Sequence, residues 1–260
     1  MLTEVKGLVI RTVDLKESDR LLTIFTEEMG VVTALARGAR TLKSRKMSST
    51  MQFCYSSFVL TKRDDKYTVK DADLIESFFG IRDSIERLAL AAYIADVLSD
   101  VTTAESDRDL LRLSLNSLYA ISTGKYPLAA VKAAFEIRAA SILGFMPDVL
   151  SCASCGAESG DFFFDIMGGH IACAECRKKQ AREDIPDPED RERRIVRILT
   201  EPAQRALGYC VHAPLERLFS FKLIEAEDLR LLSLATEDYL VNQLERSFKT
   251  LDFYNKVKRD

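Results

Sequence analysis

The sequence predicts an α+β protein: a small five-stranded β-barrel, then an α-helical domain interrupted by a knuckle of four cysteines. Three observations carry this. Over the first eighty residues, short segments rich in Val, Ile, Thr and Leu are separated by polar or Gly-containing turns. From Ile81 the apolar period changes from two to three and four. Later, Cys152-Ala-Ser-Cys155 and Cys173-Ala-Glu-Cys176 are separated by seventeen residues, a spacing that lets two tight turns aim four sulfurs at one ion. The expected organisation is 1–80 barrel, 81–147 and 181–260 helical, and 148–180 the cysteine knuckle.

Composition bounds the function classes. The 260 residues are 47% hydrophobic and 30% charged, with a net charge of −3, as in an ordinary soluble protein. No apolar run reaches the ~18 residues of a membrane span. The first residues lack a basic region followed by an apolar core, so no secretory signal is expected. Cysteines at metal-ligand spacing without an export signal point to a reducing, cytoplasmic setting. The slightly negative charge excludes a uniformly basic nucleic-acid binder, so any such binding needs a local patch.

In chain order, the strands are expected at Val5–Leu15, Arg20–Thr26, Val31–Arg37, Gln52–Lys62 and Lys66–Leu74, with Arg63-Asp64-Asp65 as a hairpin connection. Five such strands fit a Greek-key barrel of the OB type, and an SH3-like barrel almost equally. Alternation places Phe53 and Tyr55 on one strand face and Phe58 on the other. Between the third and fourth strands, Arg37-Gly-Ala-Arg40-Thr-Leu-Lys43-Ser-Arg45-Lys46 carries five cations and no acid, whereas the rest of the first eighty residues has eight Lys/Arg against eleven Asp/Glu. A basic loop on a small barrel can grip a phosphate backbone without reading bases. The alternative is a solvated loop whose charges only aid solubility. Tyr55 and Tyr67 are candidates for base stacking. Gly38 to Lys43-Ser44 superficially resembles a phosphate-binding P-loop, but it lacks the second glycine and a following helix.

Gly7-Leu-Val-Ile-Arg11, Glu17-Ser-Asp-Arg20-Leu-Leu-Thr and Ala36-Arg37-Gly38-Ala39-Arg40 with Lys43-Ser44 resemble the N-terminal signature of the RecO family of bacterial recombination mediators. The likeness resumes at Phe135-Glu-Ile-Arg138, Leu143-Gly144-Phe145-Met146-Pro147 and Cys152-x2-Cys155-Gly156. The resemblance implies an OB-fold that binds single- and double-stranded DNA and anneals complementary strands. It implies contacts with the acidic C-terminal tail of the single-stranded-DNA-binding protein (SSB), and action with RecR to help load RecA. The candidate DNA contacts are Arg37, Arg40, Lys43, Arg45 and Lys46, with Arg11 and Arg20 of the same signature. A nucleoid-associated location follows from that role. Zinc cysteines are not universal in the family, so the full set here implies a zinc-bearing branch.

Beyond the barrel, Ile81, Ile85, Leu88, Ala92 and Ala95 begin a first, largely buried helix. Asp107–Ser122, closed by Gly124, is the second, and Pro127 opens a third running to Leu143. In the knuckle, Cys152, Cys155, Cys173 and Cys176 match a structural zinc site, and four sulfurs leave no open position for catalysis. Two disulfides or four unrelated core thiols are the alternatives. His170 lies outside both pairs, and Asp161–Asp165 can form a short strand. Cys54 and Cys210 read as small core residues. Lys178–Arg194 reads as a charged loop leading into a helix at Asp190–Leu199, and Glu225–Leu251 as a long final helix with Leu229, Leu232, Leu240 and Leu244 inward. Arg246, Lys249, Lys256, Lys258 and Arg259 make the C-terminal end basic, either as partners of the helix dipole or as a pocket for an acidic tail.

No catalytic constellation appears, and the expectation is a non-enzymatic DNA-binding mediator. The alternatives are a zinc-stabilised protein–protein adaptor without direct DNA binding, and, more remotely, a metal-dependent nuclease.

Overall fold

The computed structural model describes residues 2–101, 107–183 and 195–258. The chain divides into two compact units, Met1–Lys125 with Phe248–Asp260, and Tyr126–Ser247.

In the first unit, β1 (Leu2–Leu15), β2 (Asp19–Thr26), β3 (Gly30–Ala36), β4 (Tyr55–Arg63) and β5 (Lys66–Glu76) form a closed barrel in the order β1-β2-β3-β5-β4. Four pairings are antiparallel; β3 meets β5 in parallel, with Ala34 opposite Tyr67 and Leu35 opposite Thr68. This closure is of the OB type, which strand count alone could not separate from an SH3-like barrel. The period-two pattern fills the interior: Leu22 and Ile24, Val32, Ala34 and Ala36, and Phe58 and Leu60 pack with Val5, Val9 and Val69.

β1 serves two neighbours, pairing with β4 through residues 2–8 and with β2 through residues 7–15. A β-bulge between Val9 and Arg11 lets both Val9 and Ile10 be buried. At Gly7 the strands come so close that a Cβ would sit 2.5 Å from Ile24 Cγ2 and 2.9 Å from the Phe25 carbonyl oxygen. The β4–β5 hairpin turns on Asp64 (φ 48°) and Asp65 (φ 58°), left-handed conformations that aspartate tolerates in a two-residue turn. Phe53 precedes β4 instead of lying in it; at φ 66° it is tucked into the interior, so strand alternation does not govern it.

The helices of this unit are α1 (Ile85–Val101) and α2 (Arg108–Thr123), preceded by a 3-10 turn at Phe79–Asp83 that holds Ile81. The Asp107 side chain caps α2 by accepting the Leu110 N–H at 2.8 Å, and Gly124 closes it at φ 63°.

In the second unit, α3 (Leu128–Ile142) is almost wholly buried. It packs on α5 (Glu201–His212) and α6 (Ala226–Leu244), while α4 (Ala174–Glu183) follows a small sheet ordered β7 (His170–Cys173), β6 (Phe162–Asp165), β8 (Val196–Leu199). Two expectations need correction here. Val196–Leu199 is not the end of a helix but an edge strand, its β-branched Val196 and Ile198 pairing with Asp165 and Phe163. The rest of that expected helix, 190–194, lies outside the described residues, as do Pro186 and Pro188. Lys178–Glu183 belongs to α4 instead of a loop.

The long final helix is also broken. Glu245 takes a left-handed conformation (φ 51°), with its N–H on the Asn242 carbonyl and the Arg246 N–H on that of Val241. This is a Schellman stop without glycine. The chain then re-enters the first unit as α7 (Lys249–Val257), where Phe248 meets the Tyr93 ring edge-on and Thr250 donates to Asp96 at 2.7 Å. Of the basic C-terminal residues, Lys256 lies in the last turn of α7, Lys249 in its first and Arg246 in the break. Arg259 lies outside the described residues.

Candidate functional site

The basic loop leaves β3 and reaches β4 through successive turns, and its two ends are anchored differently. At the far end, Ser49 Oγ donates to the Ala72 carbonyl at 3.0 Å, Ser56 Oγ to the Ser49 carbonyl at 2.9 Å, and Thr50 Oγ1 to the Lys46 carbonyl at 2.6 Å. These bonds satisfy three buried hydroxyls and fix residues 46–56 to the barrel. At the near end the loop leans on the β1–β2 turn. The Gly38 N–H donates to Asp19 Oδ1 at 2.9 Å, and the Arg40 N–H to the Ser18 carbonyl at 3.0 Å. Between these anchors, residues 41–45 project with little burial.

The seven candidate DNA contacts fall into distinct environments. Lys43 and Arg45 are exposed, with no partner among the described residues, and Arg37 is exposed at the end of β3. Arg40 and Arg20 share one carboxylate: Arg40 Nε lies 3.2 Å from Asp14 Oδ2, and Arg20 Nε 2.9 Å from Asp14 Oδ1. Arg20 also donates to the Thr50 carbonyl at 3.3 Å, and Arg40 to that of Lys16 at 3.2 Å. The hydrogen bond from Arg20, with the charges of Arg20 and Arg40, holds the Asp14 carboxyl below its usual range; the Gly38 N–H does the same for Asp19. Lys46 is half-buried and reaches the Val69 carbonyl at 3.5 Å. Arg11 is exposed on β1 beside the bulge, outside the loop. The stacking candidates are engaged as well: the Tyr55 hydroxyl donates to Glu27, and the Tyr67 ring carries Lys62 Nζ at 5.7 Å from its centroid.

In the second unit, the four cysteines of the knuckle converge, all four sulfurs lying within 4.8 Å of one another. The first pair sits on a turn in which the Gly156 N–H meets the Cys152 carbonyl at 2.8 Å; Cys173 ends β7, and Cys176 lies in the first turn of α4. Cys155 Sγ is 3.7 Å from Cys173 Sγ. That is far from the ~2.05 Å of a disulfide, and close to the ~3.8 Å edge of a tetrahedron whose centre makes bonds of ~2.3 Å to sulfur. Burial opposes ionisation of Cys152, but the N–H groups of Cys173, Cys155 and Ser154 bring its thiol down to about 6. Cys176, hydrogen-bonded to the sulfurs of Cys155 and Cys173, is pushed up to about 12. A cluster of this composition can hold a metal ion. His170 starts β7 and is not one of the four. Cys54 and Cys210 are buried, and burial pushes the Cys210 thiol up to about 12.

Two arrangements were not read from the sequence. In α3, Lys132 and Glu136 are fully buried and paired, with Glu237 and Thr236 of α6 completing the cluster. Arg138 donates to the carbonyls of Cys210 at 2.9 Å and Ala213 at 2.6 Å, satisfying the C-terminal end of α5. Charged residues four apart in an otherwise apolar helix were the available signal for the first.

Comparison with known proteins decides the family. A family model described as recombination protein O N terminal matches residues 1–78, and one described as recombination protein O C terminal matches residues 82–252. The chain belongs to the RecO family of DNA repair proteins. It is 38% identical over 256 residues to the DNA repair protein RecO of Acetivibrio thermocellus, covering 97% of this chain and 96% of that one. It is 30% identical over 255 residues to the RecO of Caldicellulosiruptor saccharolyticus, covering 97% and 98% respectively. With the RecO of Alkaliphilus metalliredigens it shares 33% identity over 178 residues, 68% of this chain and 72% of that one. The RecO-like segments of the sequence now have physical roles. Gly7 allows β1 to approach β2, Arg20 ties β2 to the basic loop, and Phe135-Glu-Ile-Arg138 supplies a core ring, half of a buried ion pair and a helix cap.

Proposed function

We propose that this chain is a non-enzymatic recombination mediator that binds single- and double-stranded DNA through the basic loop of its barrel and anneals complementary strands. The observation that carries the reading is the loop itself. Arg37, Lys43 and Arg45 are held out from a barrel of otherwise acidic balance, on a segment anchored at both ends. Fixed cations with free hydration shells suit phosphate contact, because little order is lost when the backbone docks.

The knuckle holds zinc in a structural role. Four sulfurs complete a tetrahedral shell, so no site remains for water or substrate. Cys152 and Cys176 are buried and Cys155 exposed, an arrangement that fastens the turn after α3 to the start of α4. In this reading the protein acts in the cytoplasm at the nucleoid. RecR and the acidic tail of SSB are its protein partners, and RecA is served indirectly by loading onto SSB-coated strands.

Annealing of two complementary labelled oligonucleotides tests the mediator role. The wild type accelerates annealing, whereas Arg37→Glu/Lys43→Glu/Arg45→Glu loses most of the acceleration with an unchanged circular dichroism spectrum. Equal acceleration by both proteins would refute the assignment to the loop.

A further inference from the structure

Two guanidinium groups at the root of the basic loop converge on a single carboxylate. Asp14, at the end of β1, places one oxygen 2.9 Å from Arg20 Nε and the other 3.2 Å from Arg40 Nε. Each guanidinium is also fixed independently of that carboxylate: Arg20 Nη1 by the Thr50 carbonyl at 3.3 Å, and Arg40 Nη1 by the Lys16 carbonyl at 3.2 Å. The Asp14 side chain remains 49% exposed, against 16% for Arg20 and 34% for Arg40. The cations are therefore held in place while the anion between them is free to turn into water.

We propose that Arg20 and Arg40 form a phosphate clamp in which Asp14 is a resident anion, displaced by a backbone phosphate of the bound nucleic acid. This rests on the DNA-binding reading above and adds a site to it. Two guanidiniums offer several N–H donors on converging edges, a match for a tetrahedral oxyanion. The neighbouring acid, Asp19, is not interchangeable with Asp14, because its carboxylate is committed to the Gly38 N–H at 2.9 Å. Asp14 thereby lowers affinity for every nucleic acid and keeps the clamp from holding stray anions. An ion pair that only locked the loop would act in the opposite direction: removing it would loosen the loop and weaken binding.

The test compares full-length wild type, Asp14→Asn and Glu17→Gln for binding of labelled oligo(dT) across a salt series. Glu17 is an exposed acid of the same turn, so its variant adds the same unit of charge. The clamp predicts that Asp14→Asn binds several-fold tighter at low salt and steepens the log–log salt slope by ~0.7, because the clamp's phosphate is then a net gained ion pair instead of an exchange for the Asp14 carboxylate. Glu17→Gln should leave the slope unchanged. A second arm measures Tm in inorganic phosphate against sodium chloride of equal ionic strength; phosphate should raise the Tm of Asp14→Asn at concentrations that leave the wild type unmoved. Oligonucleotide binding in which Asp14→Asn matches Glu17→Gln, or is weaker than wild type, overturns the clamp and leaves the DNA-binding reading standing. Absence of oligonucleotide binding by all three proteins, with phosphate still stabilising Asp14→Asn, overturns the DNA-binding reading and the clamp as a nucleic-acid site together, and leaves only a site for small anions. Absence of both effects removes both.

Discussion

Lys132 Nζ lies 2.9 Å from a carboxylate oxygen of Glu136, one turn further along α3, and both side chains are wholly shielded from solvent. Lys132 also reaches Glu237 at 2.8 Å and the Ser233 carbonyl at 3.2 Å, while the Thr236 hydroxyl donates to Glu136 at 2.8 Å. The cluster joins α3 to α6 by charge where the surrounding contacts are apolar. Removing only the cation strands buried carboxylate charge, so Lys132→Met should cost ~3–5 kcal/mol. Lys132→Met/Glu136→Leu should recover much of that loss. Urea denaturation of wild type and both variants checks this; equal loss in the single and double variants would contradict it.

The same cluster sets a pH dependence. Burial, reinforced by the charge of Glu237 and opposed by Lys132, pushes the Glu136 carboxyl up from 4.5 to about 7. A group whose folded value is raised contributes stability fully below its unfolded value and loses it as pH rises through the folded one. Wild type should therefore lose stability relative to Glu136→Gln between pH ~4.5 and ~7. A stability difference that stays flat across that window would be the contrary result.

Metal removal should act on one unit more than the other. The four cysteines of the knuckle all belong to Tyr126–Ser247, and on the proposed reading a structural zinc there would be worth many kcal/mol to the segment that holds it. Chelation, or Cys155→Ser, should speed hydrogen exchange in β6, β7 and α5 while the barrel strands stay protected. Equal loss of protection in both units would count against a local structural ion.

Gly7→Ala places a methyl group 2.5 Å from Ile24 Cγ2 and 2.9 Å from the Phe25 carbonyl oxygen. The second contact is backbone, so β1 must shift away from β2. Overpacking of this kind costs ~1–3 kcal/mol. Thermal or urea denaturation measures it, and an unaltered midpoint would show that the barrel can open there at no cost.

The barrel was legible in the sequence because its strands are short runs rich in Val, Ile, Thr and Leu and the turns between them carry Gly or acidic residues. Its closure was not, since the β3–β5 pairing joins residues 33 positions apart, Ala34 with Tyr67 and Leu35 with Thr68, with no local signature. The cysteine spacing announced its cluster directly. The strand β8 was hidden because only Leu199 of its four residues is buried, leaving no alternation to read. The stop at Glu245 was hidden for another reason: a Schellman turn usually advertises itself with glycine, and here a glutamate accepts the left-handed conformation. At the DNA-binding candidates, the sequence supplied the charges but not their division. Seven cations look alike on paper, whereas the fold ties Arg20 and Arg40 to Asp14 and leaves Arg37, Lys43 and Arg45 outward.

Fluorescence anisotropy of labelled single-stranded DNA against salt, wild type beside Arg37→Glu/Lys43→Glu/Arg45→Glu, tests the central claim most directly. The outward loop cations Arg37, Lys43 and Arg45 contribute roughly −2 to the predicted log–log slope of the wild type, and reversing all three should flatten it by about that much while weakening binding at low salt. Identical affinity and slope in the two proteins would place DNA elsewhere and contradict the account.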